Sequence, residues 1–193
     1  MRLAPNRGRW PLMASTTFVN RWFVEVADGA LWTRPEHCDA AFVAELGGRA
    51  VSIQIPIPGG EDLTLEHLVL DVNGTLTHRG QPIVSAVSTL EELSGRLTLH
   101  LLSADTFGTA GELAASLGAS YRQVATGEDK REYVLALGAS TCVAVGNGRN
   151  DVPMLCAAAL GIAVLGPEGL HRAALNAAEV STLSIDEAVS YTH

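Results

Sequence analysis

The chain has 193 residues and a formal net charge of −8, with 47% hydrophobic and 18% charged residues. This length suits one globular domain with a sizeable core and a small appendage. The negative charge disfavours nucleic acids and anionic membrane surfaces as partners, and no apolar run approaches the ~18 residues of a membrane span.

Residues 1–50 contain all three tryptophans and three of the four phenylalanines, but no chemical motif. We predict a strand at Phe18–Val26 and a short helix at Cys38–Leu46, which would form a small N-terminal extension before a main domain at residues 51–193. A flexible tail, or a translation start assigned too early with the true start near Val51, are alternative interpretations. The N-terminal arginines precede no apolar stretch typical of a secretory signal, so we expect a cytoplasmic protein.

The three cysteines, Cys38, Cys142 and Cys156, are far apart and have no metal-ligand spacing. Such a sparse, odd set is typical of buried thiols in a reducing compartment. We therefore expect Cys142 to be buried in a strand and Cys156 in a helix, and we assign no chemistry to either.

From residue 51 onward, short apolar runs alternate with segments of helical periodicity. Val51–Ile57 is typical of a half-exposed strand, and His67–Leu70 is the first buried strand. Further strands are predicted at Leu97–Leu102, Tyr121–Val124, Thr141–Val145, Gly161–Leu165 and around Val180, and helices at Ile83–Leu93, Gly108–Leu117, Asp129–Leu137, Asp151–Ala158, Glu168–Ala177 and Ile185–Val189. This alternation predicts a three-layer, Rossmann-like α/β fold, in which helices cover both faces of a central parallel sheet.

Polar side chains follow successive predicted strands at the point where each strand ends. In chain order they are Asp71 and Asn73, then Ser103, Asp105 and Thr106, then Lys130, and finally Gly146–Asp151. The carboxyl ends of parallel strands meet at one edge of a sheet, and ligands of open α/β sheets bind there. We therefore expect these side chains to converge on one site.

This set of groups suits phosphoryl transfer. Asp71 is a candidate nucleophile that would attack phosphorus and form an aspartyl-phosphate. Mg²⁺ held by Asp71, Asp151 and the amide oxygen of Asn147 would offset the repulsion between carboxylate and phosphate. Ser103 and Lys130 would bind the phosphate oxygens.

Each of these residues also has an ordinary structural interpretation when it is taken alone. Asp71 is then a turn or cap residue, Ser103 caps a helix, and Lys130 is a solvated helix residue. Gly146–Asp151 is then a turn, or a weak dinucleotide loop that lacks the third glycine. Their joint occurrence at successive strand ends favours the phosphoryl-transfer hypothesis.

Four segments resemble, in order, the motifs of the haloacid dehalogenase-like superfamily. Asp71–Thr77 resembles the first motif, and it is similar to the phosphorylation loop Asp-Lys-Thr-Gly-Thr-Leu-Thr of P-type ATPases. Leu102–Thr106 resembles their Thr-Gly-Asp-Asn segment, and Gly127–Lys130 the lysine motif. Val145–Leu155 resembles Gly-Asp-Gly-x-Asn-Asp-x-Pro-x-Leu. The resemblance covers residues 66–185.

The resemblance implies a Mg²⁺-dependent phosphohydrolase, ATPase-like or phosphatase-like, that acts through phospho-Asp71 on a phosphorylated substrate such as ATP. It assigns phosphate binding to Ser103 and Lys130. It assigns the remaining substrate contacts to Asn73, Gly74, Thr75, Ala104 and Asp105, the metal ligands to Asp71, Asn73, Asn147 and Asp151, and support of the metal loop to Asn150.

Two positions depart from the superfamily pattern. Most of its phosphatases carry a second aspartate as general acid and base where this chain has Asn73, and an amide cannot exchange a proton. Asn147 stands where a Mg²⁺-ligating aspartate is usual, which removes one negative charge from the site. These departures keep an alternative open: a module that binds phosphate, nucleotide, Mg²⁺ or a protein partner without turnover.

The spacing of the motifs predicts that no cap domain covers the site. Each gap, from Asp71 to Ser103 and from Ser103 to Lys130, is filled by one helix and one strand. An open site suits a large substrate, a protein partner, or a neighbouring subunit of a homo-oligomer.

Overall fold

The strongest apolar runs of the sequence form the strands of one central sheet. The computed structural model describes residues 52–57, 61–104 and 108–191. Its strands are β1 (Ile53–Ile55), β2 (Leu63–Leu65), β3 (His67–Asp71), β4 (Thr77–His78), β5 (Gln81–Pro82), β6 (Thr98–Ser103), β7 (Ser120–Gln123), β8 (Cys142–Gly146), β9 (Leu160–Val164) and β10 (Val180–Thr182). Six of them form a parallel sheet in the order β10-β9-β8-β3-β6-β7.

Helices cover both faces of this sheet. They are α1 (Val84–Leu93), α2 (Ala110–Ser116), α3 (Gly127–Leu137), α4 (Val152–Ala157), α5 (Arg172–Ala177) and α6 (Ile185–Tyr191). The apolar residues of α1, α2 and α6 pack in one core cluster, and those of α3, α4 and α5 pack in a second cluster on the opposite face. The predicted three-layer arrangement with a central parallel sheet is therefore confirmed.

The alternation of side chains along β3 decides which residues face which layer. Leu68 and Leu70 belong to the first cluster and Val69 to the second. Since side chains of a strand alternate between the two faces, Asp71 shares the face of Val69, beneath α3. Asp71, the last residue of β3, therefore lies on the face of the sheet where α3 begins.

The order of the strands places a crevice beside β3. From β3 the chain continues to β6 and β7, and it then returns to β8 on the other side of β3. The strand order of the sheet therefore reverses between β3 and β8. In open α/β sheets, ligands bind outside the carboxyl ends of the strands at such a reversal.

Two antiparallel hairpins lie outside the main sheet, and of their strands only β1, within the predicted strand Val51–Ile57, was expected. β1 pairs with β2 beside the main sheet, and β4 pairs with β5 directly after the first loop. Arg79 and Gly80 join β4 to β5 with positive φ angles of 52° and 77°, the two-residue geometry that matches the twist of a hairpin. Within residues 61–104 and 108–191, each predicted cap position holds at most this hairpin, one helix and one strand, and no cap domain is present among these described residues.

Two predictions from the sequence were wrong. The helix predicted from Glu168 begins at Arg172, because Gly169 has a φ of 89° and the side chain of His171 caps the helix by accepting a hydrogen bond from the amide of Ala173. Cys156 is exposed rather than buried, since the residues of α4 that face the core are Met154 and Leu155. Cys142 is buried as predicted.

Several predictions lie outside the described residues. These are the strand at Phe18–Val26, the helix at Cys38–Leu46, and the roles of Asp105 and Thr106. The boundary between residues 1–50 and 51–193 stays a prediction. Among the helices that the structure describes, none is long and apolar enough to cross a membrane.

Candidate active site

The ammonium of Lys130 joins two buried carboxylates at the crevice beside β3. Its Nζ atom lies 2.5 Å from Oδ1 of Asp71 and 2.7 Å from Oδ1 of Asp151, and all three side chains are at most 10% exposed. Lys130 is the only lysine of the chain, since every other residue among the 13 lysines and arginines is an arginine. The structure thus brings three residues predicted from three different strand ends into direct contact.

A capping box fixes the start of the helix that carries Lys130. The hydroxyl of Thr126 accepts a hydrogen bond from the amide of Asp129 at 3.2 Å, and Oδ2 of Asp129 accepts one from the amide of Thr126 at 2.7 Å. This reciprocal pair satisfies amides that the first turn of a helix leaves without partners. It holds the first turn of α3 in place, so that Lys130 extends toward Asp71.

The charges of this cluster shift the pKa values of Asp71 and Lys130. Burial, together with the nearby charge of Asp151, raises the pKa of Asp71 to about 7, although the Lys130 ammonium acts in the opposite direction. Burial disfavours the charged form of Lys130, but the two carboxylates outweigh it and raise the pKa of Lys130. Lys130 therefore stays protonated at neutral pH, and the cluster carries one net negative charge when both aspartates are ionised.

Asp151 also organises the loop that follows β8. Its Oδ2 accepts hydrogen bonds from the amides of Asn147 at 3.0 Å and Gly148 at 2.7 Å. A Cβ atom on Gly146 would lie 2.6 Å from the Asp151 side chain, so only glycine leaves room for this carboxylate. With Oδ1 on Lys130 and Oδ2 on the loop, Asp151 connects the loop to α3.

The hydroxyl of Thr75 lies between two candidate metal ligands. Its Oγ1 is 3.3 Å from Oδ2 of Asp71 and 3.2 Å from Oδ1 of Asn147. The amide nitrogen of Asn147 donates to the carbonyl of Gly169 at 3.0 Å, which turns the amide oxygen toward Thr75. Carboxylate, hydroxyl and amide oxygens thus converge on one point beside the candidate nucleophile.

These oxygens fit a magnesium ion that is held partly by water and substrate. Mg²⁺ prefers oxygen ligands, and proteins commonly supply only one or two carboxylates to it. The oxygen ligands available here are Oδ2 of Asp71, Oδ1 of Asn147 and the remaining lone pair of Oδ1 of Asp151. Within the described part of the chain, no three His, Cys, Asp or Glu side chains form a metal-binding group. The donor set therefore fits Mg²⁺ and does not fit an ion that requires several nitrogen or sulfur ligands.

The remaining predicted residues lie at the carboxyl ends of β3 and β6. The amide nitrogen of Asn73 is 3.4 Å from the hydroxyl of Ser103, which is 1% exposed. This contact directs the Asn73 side chain toward the predicted phosphate-binding residue. Ala104 follows Ser103 and lines the cavity of the site.

A cavity of about 290 Å³ opens above the charged cluster. Its walls include predicted residues from all the strand ends that the structure describes: Asp71, Asn73, Ala104, Lys130, Asn147, Asn150 and Asp151. The structure adds Arg149 and the short segment Val124–Thr126 to this lining. Arg149 was taken only as a spacer within its motif, although a cation two residues before Asp151 was a usable signal. Val124–Thr126 carried no such signal.

Comparisons with solved structures show that this architecture is shared. One match is 3-deoxy-D-manno-octulosonate 8-phosphate phosphatase from Moraxella catarrhalis, in complex with magnesium, phosphate and KDO; it has 18% identity and a TM-score of 0.55 over 66% of this chain and 85% of that chain. Another is the cobalt-bound deoxy-D-mannose-octulosonate 8-phosphate phosphatase from Haemophilus influenzae, with 17% identity and a TM-score of 0.55 over 66% and 86%. A third, described as a HAD family hydrolase from Streptomyces avermitilis, has 20% identity and a TM-score of 0.51 over 65% and 80%.

Likeness at this level of identity establishes the fold. The predicted resemblance to the haloacid dehalogenase-like superfamily is confirmed as a shared three-layer α/β architecture. No protein-family model and no curated protein sequence matches the chain.

Proposed function

Because the chain has the haloacid dehalogenase-like fold, we propose that it is a Mg²⁺-dependent phosphohydrolase that forms an aspartyl-phosphate on Asp71. One observation carries this proposal: Lys130 joins Asp71 and Asp151 at the strand reversal where α/β sheets bind ligands. Burying two carboxylates and an ammonium costs free energy that apolar residues of similar size would not cost. Such a cluster in a cavity is typical of a functional site.

In the proposed reaction, the Asp71 carboxylate attacks phosphorus while the bond from phosphorus to the leaving oxygen breaks. The product is an acyl phosphate on Asp71, and attack of water on its phosphorus releases phosphate and restores the carboxylate. Only the ionised form of Asp71 is nucleophilic. The pKa of about 7 for Asp71 places this ionisation near neutral pH before a cation binds.

Lys130 is placed to bind the transferred phosphoryl group. An ammonium has three N–H donors, and two of them serve Asp71 and Asp151. The third remains for a phosphate oxygen, and a charge-assisted bond in a buried site is strong. Ser103 is proposed to donate a second bond from the end of β6.

Asp71, Asn147 and Asp151 would hold the Mg²⁺ ion, with Asn73 contributing from the first loop. When bound, the ion supplies positive charge that offsets the repulsion between the carboxylate and the phosphate. The similar phosphatases carry magnesium with phosphate in one case and cobalt in the other, which supports a divalent cation at this fold's site.

The substrate is proposed to be a phosphorylated molecule that an open cavity can accept, such as ATP or a large phosphorylated partner. Residues 51–193 would form the phosphohydrolase domain, and residues 1–50 an extension. A neighbouring subunit in a homo-oligomer is a candidate cover for the site. Asp105 is proposed to contact the substrate, and Asn150 to support the metal loop.

A second candidate function is a module that binds phosphate, nucleotide or Mg²⁺ without turnover. Asn73 and Asn147 favour it, because neither amide can carry the proton or the charge that an aspartate would. The intact cluster of Asp71, Lys130 and Asp151 favours the enzyme.

The test is phosphate release from ATP and from a phosphomonoester by the purified full chain, with and without Mg²⁺. Asp71→Asn should abolish the Mg²⁺-dependent release, while Asp62→Asn, the same change on an exposed loop, should not. Acid quenching should trap a phosphoenzyme that hydroxylamine cleaves. Equal release by wild type and Asp71→Asn would contradict the mechanism, and tight phosphate binding without release would favour the binding module.

A further inference from the structure

A chain of three hydrogen-bonded rings lies beneath the candidate active site. Nδ1 of His67 is 3.1 Å from Nε2 of His100, and Nδ1 of His100 is 3.0 Å from the hydroxyl of Tyr133. Both ring pairs are T-shaped, with centroids 5.2 and 5.6 Å apart. His100 is fully buried and Tyr133 is 8% exposed, while His67 is half-buried at the start of β3.

These rings interrupt a core that is otherwise apolar. The cluster on this face of the sheet consists of Val69, Leu102, Val124, Val134, Ala144, Met154 and Leu155, together with smaller residues. Polar groups placed there cost free energy unless they are hydrogen-bonded. Packing alone would be served as well by leucine and phenylalanine, so the chain of bonds needs another explanation.

The environment of His100, the central ring of this chain, disfavours its charged form. Burial and the neighbouring His67 ring lower the pKa of His100 to about 3, so the imidazole is uncharged at neutral pH. A neutral imidazole has one N–H donor and one acceptor nitrogen. His100 therefore uses both nitrogens, and each bond in the chain depends on the other.

Tyr133 and Lys130 belong to the same face of α3. Residues three apart on a helix are neighbours, one turn from each other. Lys130 contacts Asp71 at the carboxyl end of β3, and Tyr133 contacts His100 in the interior of β6. A third polar contact lies at the other end of α3, where the Cys142 thiol is 3.4 Å from the carbonyl of Gly138. Polar bonds thus attach α3 to the sheet along its whole length.

We propose that Tyr133, held by His100 and His67, is a positioning residue for Lys130. Its hydroxyl fixes how far α3 extends along the sheet, and with it the depth at which the ammonium meets the phosphate. Apolar packing on α3 permits small sliding motions, whereas a hydrogen bond to a rigid strand restricts them. This inference rests on the proposed role of Lys130 in phosphate binding.

The test uses Tyr133→Phe, which removes only the hydroxyl. Because Lys130 is the single lysine, protein made with isotope-labelled lysine shows one side-chain NMR signal from this residue. We expect Tyr133→Phe to shift and broaden that signal. We also expect it to weaken inorganic phosphate binding about fivefold, the factor that corresponds to one lost hydrogen bond.

Two control variants separate positioning from stability. Tyr121→Phe removes a hydroxyl from β7, where the ring packs in the cluster on the opposite face of the sheet. Val134→Ala destabilises α3 from within the same apolar cluster without touching the polar chain. Neither control should change phosphate affinity, although Val134→Ala should lower the free energy of unfolding more than Tyr133→Phe does.

A double variant tests whether Tyr133 acts on Lys130 through its hydrogen bond with His100. In His100→Leu protein, Tyr133→Phe should have no further effect on the lysine signal, because the bond is already lost. An unchanged signal and unchanged phosphate affinity in folded Tyr133→Phe would overturn the proposal, as would an equal effect of Val134→Ala. If wild type binds no phosphate, the proposed function fails, and the lysine signal still decides the positioning role.

Discussion

The side chain of Asn147 packs directly against the backbone of Gly74. A Cβ atom on Gly74 would lie 2.7 Å from Nδ2 of Asn147, so the first loop and the loop after β8 approach each other only because residue 74 is glycine. Gly74 also has a φ of 80°, which side-chain-bearing residues rarely adopt. This contact holds the Asn147 amide oxygen beside Thr75 and Asp71.

Gly74→Ala should therefore do more than strain the backbone. The strain alone is expected to lower the free energy of unfolding by about 1–2 kcal/mol. The added methyl group should also displace Asn147 and weaken Mg²⁺ binding, measured by calorimetric titration. Gly118→Ala is the matched control, because Gly118 has a φ of 62° and open space around its Cβ position. Equal Mg²⁺ affinity in the two variants would contradict this account of Asn147.

Lys130→Met should strongly destabilise the protein. The change leaves Asp71 and Asp151 buried without their shared cation, a loss that typically costs about 3–5 kcal/mol. Urea unfolding at pH 7 measures the change. Arg131→Met is the control at the next position, where an exposed pair with Glu128 is worth at most about 1 kcal/mol. A similar small loss in both variants would show that the buried cluster is not held by the lysine.

Asn147→Asp should raise the affinity for Mg²⁺ and lower the stability of the metal-free protein. The new carboxylate adds a charge next to the cation and is expected to tighten Mg²⁺ binding on the order of tenfold. It can no longer donate to the carbonyl of Gly169, and the lost bond should cost about 1–3 kcal/mol in metal-free protein. Asn176→Asp, the same change at an exposed position of α5 outside the cavity lining, should alter neither quantity to that extent. Unchanged Mg²⁺ affinity in Asn147→Asp would remove this residue from the proposed metal site.

Asn73→Asp should accelerate loss of the phosphoenzyme. A carboxylate at this position could accept a proton from the attacking water, and general base catalysis typically contributes about 10²-fold or more. Decay of acid-trapped phosphoenzyme after removal of free substrate gives the rate directly. Asn176→Asp again controls for the added charge. Identical decay in wild type and Asn73→Asp would mean that residue 73 does not contact the water.

The stability of the metal-free protein should fall as the pH rises toward 7. The pKa of Asp71 is about 7 in the folded protein and close to 3.8 when unfolded, so the folded state holds this proton more tightly. The stabilisation from that proton is complete below pH 3.8 and is lost as pH rises through 7, with a slope of at most about 1.4 kcal/mol per pH unit. In Asp71→Asn this component should disappear, so the variant should gain more relative stability at pH 8 than at pH 5. Urea unfolding at a series of pH values, in the presence of a chelator, gives the stability of wild type and of Asp71→Asn. Parallel pH dependences of the two proteins would contradict the raised pKa of Asp71.

The periodic elements were predictable because each has its own signal in the sequence. The buried strands β3, β6, β8 and β9 are short, largely apolar runs, and the helices between them repeat apolar residues at helical spacing. The hairpin β4–β5 was missed because strands of two residues have no period to detect. The start of α5 was misplaced because the backbone turn at Gly169 depends on contacts with the loop after β8.

The sequence by itself determined the order of the elements and the edge of the sheet where the polar residues gather. That much follows from local patterning and from the geometry of parallel strands. Only the tertiary structure decided which atoms meet: the bridge through Lys130, the Asn147 amide held by the carbonyl of Gly169, and the chain from His67 to Tyr133. These contacts join residues from separate elements, and their distances depend on how the layers pack, which no local pattern records.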